Sequence, residues 1–123
     1  MAVKVNGKYI SISINNEYTK LCEATKGVKA TTIHKVVTIP TPEGVYNDGE
    51  ILDVKEFAKV IKSSLDDNRM NSNDVVFSIS SSKIATKDVI VPDVKGNKID
   101  KIIETNAAEY FPVKIEDYIV QYY

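Results

Sequence analysis

The residues that could do chemistry are few and widely spaced. His34 is the only histidine and Cys22 the only cysteine. Cys-x-x-Cys and His-x-x-x-His spacings are therefore missing, and no metal site is expected. His34 reads as a strand histidine, and Cys22, among apolar neighbours, as a small core residue. Ser80-Ser81-Ser82 could offer a nucleophile, but no glycines flank it and no base stands near, so it reads as a polar turn. Asp66-Asp67 and Glu116-Asp117 read as solvated acids at element ends, not as an acid/base pair. The five glycines are scattered singly, which rules out a glycine-rich phosphate loop. What remains is the stretch Ser11 to Ala24, SISINNEYTKLCEA, a polar turn pinched between two strand-like runs. Such a hairpin can hold phosphate when it carries an acid to organise a metal and a glycine to bare the backbone. Here the turn carries Asn15 and Asn16, and Ser13 stands in the place for the acid. No catalytic residue is expected, and the chain reads as a non-enzyme.

Lys8 to Ile14 alternates strictly, with Ile10, Ile12 and Ile14 on one face, the period of a half-buried strand. Asn15-Asn16 tolerates positive φ and predicts a two-residue turn. Tyr18 to Thr25 returns as a second strand, and the β-branched run Lys29 to Ile39 makes a third. Pro40 and Pro42 then interrupt pairing, so Pro40 to Asn47 is the expected boundary between two lobes, residues 1–40 and 48–123. In the second lobe Gly49 to Leu52 reads as a strand. Asp53 and Glu56 form a capping box for a helix with Val54, Phe57, Ala58, Ile61 and Leu65 on one face. Val75 to Ser80 and Ala85 to Val91 read as strands. Asn97 opens a second helix with Ile99, Ile102, Ile103, Asn106, Ala107 and Tyr110 on one face, and Tyr118 to Tyr123 reads as a last strand. The fold class is α+β: three antiparallel strands, then a βαββαβ lobe with two helices on one sheet.

The chain has 123 residues, sixteen basic and seventeen acidic, for a net charge of −1. So balanced a charge makes no electrostatic case for nucleic acid or for an anionic membrane. No apolar run approaches the roughly 20 residues of a membrane span, so insertion is not expected. A lone cysteine and the lack of an apolar leader fit a cytoplasmic location. The bare aromatic ending Tyr118 to Tyr123 is the ending expected of a fragment cut at a subdomain boundary.

Four segments, in order, carry a resemblance. YISISINNEYTKLCEA is similar to the opening hairpin of the actin-like ATPases, in the form found in the PilM family of type IV pilus assembly proteins. GEILDVKEFAKVIKSSL resembles that family's Gly-Glu-Ile strand and following helix. DVVFSISSSKIATKDVIVP resembles its paired strands. KIIETNAAEYFPVKIEDYIVQYY resembles its helix ending in Tyr-(Ile/Phe)-Pro and the acidic strand beyond, with Asn106 where the family usually has Glu.

The resemblance implies an actin-like, FtsA-like fold, the first lobe being part of subdomain 1A and the second subdomain 1C. It further implies a cytoplasmic scaffold that binds the cytoplasmic N-terminal tail of a PilN-like inner-membrane protein. In the family's hairpin, Ser13, Asn15, Asn16 and Lys20 would be the remnant of a nucleotide site. No cofactor is expected for this chain, ATP belonging to a full-length actin-like protein. The tail would contact Asn106, Tyr110 and Phe111, while Ile99 and Ile103 hold the helix down. Unpaired strand edges predict self-association. A fragment of an actin-fold ATPase and a free-standing βαββαβ interaction domain remain the alternative readings.

Overall fold

The computed structural model describes residues 5–122; the first four residues of the expected first lobe and Tyr123 of the expected last strand lie outside them. β1 (Gly7–Ile14) and β2 (Tyr18–Lys26) pair antiparallel, Gly7 opposite Lys26 and Ile14 opposite Thr19. The alternation in β1 does what period two requires: Ile10, Ile12 and Ile14 are buried to 3% exposure or less. The turn is longer than the expected two residues. Asn15, Asn16 and Glu17 separate the strands because the Asn15 side chain caps the turn, its Oδ1 accepting the Glu17 and Tyr18 N–H groups at 2.9 Å each. β3 (Thr31–Pro40) pairs antiparallel with β2, and a bulge between Glu23 and Ala24 shifts the register. Pro40 is tolerated as the last residue of this strand, which is an edge of the sheet among the described residues.

Asp48 (φ 44°) and Gly49 (φ 89°) turn β4 (Tyr46–Asn47) back onto β5 (Glu50–Ile51). Two consecutive positive φ values are the signature of the tight hairpin turn that Asp-Gly favours. α1 (Val54–Asp67) follows, capped by the Asp53 carboxylate, which accepts the Glu56 N–H at 2.9 Å. Its inward face is Phe57, Ile61 and Ser64, with Leu65 beside them; Val54 and Ala58, expected on that face, are exposed. Phe57 and Ile61 close over Ile10, Ile12, Ile14, Leu21, Val45, Tyr46 and Met70 to make the core.

β6 (Val75–Ile79) corrects the expected two-lobe layout. It joins the first sheet, parallel to β1, with Ile10 opposite Val75 and Ile14 opposite Ile79, giving the order β3-β2-β1-β6. The chain therefore divides after Ile84, where sequence reading placed the division across Pro40–Asn47. Residues 5–84 make one compact unit, with α1 on one sheet face. The unit of residues 85–122 holds α2 (Lys98–Tyr110) and a 3-10 turn at Ile115–Asp117. Ala85–Val91 and residues 118–122, both expected as strands, pair with no ladder among the described residues, so the βαββαβ lobe is not formed. Alternation dictates extended backbone; a strand also needs a partner, and residues 85–122 contribute none. The class is nonetheless α+β, as expected.

Candidate functional site

β1 and β6 are parallel, so their carboxyl ends lie together, and three polar turns gather there. In open sheets with parallel strands this is where ligands are commonly held. Asn15, Asn16, Glu17, Tyr46, Asn47, Asp48 and Ser80 line an open depression of about 410 Å³. Asp48 binds Ser82 with both carboxylate oxygens, accepting the backbone N–H and the Oγ–H at 2.6 Å each. The Ser82 hydroxyl and amide, with a further bond from Ser81, hold the Asp48 carboxyl below its ordinary value. Tyr46 donates its hydroxyl to the Ser80 carbonyl at 2.9 Å. Gly49 lies so close to Ser81 that an added Cβ would sit 2.6 Å from the Ser81 Cβ. The Asp-Gly turn is thereby clamped onto the serine turn.

Of the four residues expected to be a nucleotide-site remnant, Asn15 and Asn16 line the depression. Ser13 and Lys20 face each other across the β1–β2 ladder and do not line it; the Lys20 ammonium instead sits 5.8 Å from the centre of the Tyr18 ring. Sequence reading missed Tyr46, Asn47, Asp48 and Ser80. The dipeptide Asp48-Gly49 was the available signal, being the strongest short hairpin signature in the chain.

The chemistry on offer is mostly neutral. Asn15 Oδ1 is consumed by the turn and both Asp48 oxygens by Ser82, which leaves amide groups and the Glu17 carboxylate at the rim. Among the described residues no group of three or more His, Cys, Asp or Glu is placed to hold a metal. A magnesium–nucleotide needs a bare backbone for its phosphates and a free acid for its metal. Glu17 is the one lining carboxylate without a partner among the described residues, and Asn15 carries a side chain where the backbone would have to be bare. A larger, more apolar groove of about 510 Å³ runs between the end of β3 and α1, past Ile39, Pro40, Val60 and Ser64. It shares no residue with the turns.

In the unit of residues 85–122, α2 buries Ile103 and Ala107. Ile99, Ile102, Asn106 and Tyr110 are half-buried along its flanks, and Phe111 is half-buried at its end. Asn97 precedes the helix as expected, but its side chain makes no cap hydrogen bond. Lys87 donates to the Tyr110 carbonyl at 3.1 Å, satisfying one of the helix's last acceptors. Tyr122 donates its hydroxyl to Asp100 at 2.6 Å, and that carboxylate raises the phenol above its ordinary value.

A mixed sheet covered by a helix, with capped turns at the strand ends, defines an α+β protein with a polar depression at the sheet's carboxyl edge. The family model for type IV pilus assembly protein PilM matches residues 11–123, and the chain belongs to that family. No curated protein matches it. Family membership ties the chain to type IV pilus assembly. Among the described residues no helix is long and apolar enough to cross a membrane.

Proposed function

We propose that the chain acts in pilus assembly as a cytoplasmic scaffold of actin-like fold, binding the cytoplasmic tail of a PilN-like inner-membrane protein and hydrolysing no nucleotide. The observation that carries this reading is the state of the polar turns. The Asp48 carboxylate is spent on Ser82, and the Asn15 carbonyl on its own turn, so the polar groups hold structure together. The tail contacts are assigned to α2. An extended peptide needs apolar area and a few hydrogen-bonding groups. Half-buried Tyr110, Phe111 and Asn106 supply both, while buried Ile103, with Ile99 beside it, anchors the helix. Titrating a tail peptide tests the assignment: Asn106→Ala and Tyr110→Ala should weaken binding with little change in melting temperature. Wild-type affinity in both variants would refute it.

Self-association belongs to the same proposal. β6 is an edge strand among the described residues, and its core-face row Val75, Phe77 and Ile79 is 45%, 51% and 49% exposed. Pairing with a second copy would cover that row and its free backbone groups. Light scattering that gave monomer at every concentration would oppose this. A second reading, nucleotide binding, draws on the depression at the carboxyl ends of β1 and β6. Calorimetry with ATP and magnesium separates the two, and micromolar, magnesium-dependent binding would favour the second.

A further inference from the structure

The net charge of −1 conceals a local segregation. From Ala24 to Pro42 the chain carries Lys26, Lys29, His34 and Lys35 and no Asp or Glu. These residues form the β2–β3 hairpin, whose tip turns through Gly27 to Ala30 with a 2.9 Å backbone hydrogen bond. Val28 is wholly exposed at the apex, and Ile33 is 64% exposed on the strand behind it. Lys35 is occupied, donating to the Asn68 carbonyl at 2.6 Å, and His34 is held by Thr25 at 2.7 Å. Lys26 and Lys29 form no ion pair among the described residues, so two free ammonium groups flank an apolar apex.

We propose that this apex is a peripheral contact for an anionic membrane surface. Val28 enters the boundary between headgroups and acyl chains, and Lys26 and Lys29 stay at the level of the lipid phosphates. Two features favour a bilayer over an acidic protein segment. The apex is a projecting turn with its one large apolar side chain fully exposed, a shape suited to a deformable interface. Strand addition along β3 is hindered by the bulge opposite Glu23/Ala24, by Lys35 and by Pro40, devices that blunt a sheet edge. Each lysine near an anionic surface raises affinity about fivefold. The contact is therefore weak alone and works as an orienting second attachment beside a membrane-protein partner.

The test is cosedimentation of the chain, with no tail peptide present, on phosphatidylglycerol/phosphatidylethanolamine vesicles against phosphatidylcholine vesicles. Binding should occur only to the anionic vesicles and weaken as salt rises. Lys26→Gln with Lys29→Gln should lower it about 25-fold. Val28→Ser should weaken it while leaving its salt dependence unchanged, and neither variant should alter the melting temperature. Equal binding to both vesicle types, or wild-type binding by the double variant, would overturn the proposal. So would retention on polyglutamate without vesicle binding, which would assign the hairpin to an acidic protein. Because no peptide takes part, failure here leaves the tail-binding reading standing.

Discussion

Gly49→Ala probes how firmly the Asp48–Gly49 turn is clamped to the serines. Gly49 sits at φ 89°, and an added Cβ would meet the Ser81 Cβ at 2.6 Å and its Oγ at 3.1 Å. The left-handed conformation costs an L-residue about 1–2 kcal/mol. The contact adds about 1–3 kcal/mol, typical of forcing a methyl group into a packed site. The sum is roughly 2–5 kcal/mol. Gly44 is the internal control, for it also has a positive φ, 74°, but nothing lies within 4 Å of its would-be Cβ. Gly44→Ala should cost only the conformational part, about 1–2 kcal/mol. Urea unfolding followed by far-UV circular dichroism gives both values, and the chain's lack of tryptophan makes fluorescence the poorer probe. Adding Ser81→Gly to Gly49→Ala should recover the contact part, because the opposing Cβ is then gone. If Gly49→Ala and Gly44→Ala cost the same, the turn is not packed against Ser81 and the clamp is refuted.

Three further outcomes follow from the same packing. Ser64→Ala should be neutral or stabilising, by up to about 1–3 kcal/mol, since the Ser64 hydroxyl is buried without a hydrogen-bond partner among the described residues; a clear drop in melting temperature would contradict this. Leu21→Ala removes a fully buried side chain from the core and should cost about 2–5 kcal/mol by the same urea assay. Glu23 accepts from Lys8 Nζ at 2.9 Å and from the Asn71 N–H at 3.0 Å, bonds that hold its carboxyl below its ordinary 4.5. The unfolded chain therefore takes up the proton first, so stability from Glu23 is complete above about pH 4.5 and is lost as pH falls through the lower folded value. Glu23→Gln should flatten the acid limb of the urea midpoint against pH, leaving the same-signed part due to Asp48; an unchanged limb would refute the assignment.

Much of the local structure was legible in the residues alone. Ile10, Ile12 and Ile14 alternate because one face of β1 is buried. Asp53 capped α1 as its side chain allows, and Asn97 marked the start of α2. These features depend on neighbours a few residues away, which is the range over which propensity and periodicity act. The clamp at the candidate site was half visible: Asp48-Gly49 announces a tight turn, whereas its hydrogen bonds reach Ser82, 34 residues on. Tertiary structure alone decided that Val75–Ile79 would pair with β1 and not build a second sheet. An extended run names no partner, and β6 finds its own where Ile10, Ile12 and Ile14 already face Phe57 and Ile61. It also decided that Ala85–Val91 would stay unpaired, although Thr86, Val89, Ile90 and Val91 are β-branched residues that favour extended backbone. Side-chain alternation states which way residues point; only the meeting of distant backbone groups makes a ladder, and that meeting depends on the whole packed chain.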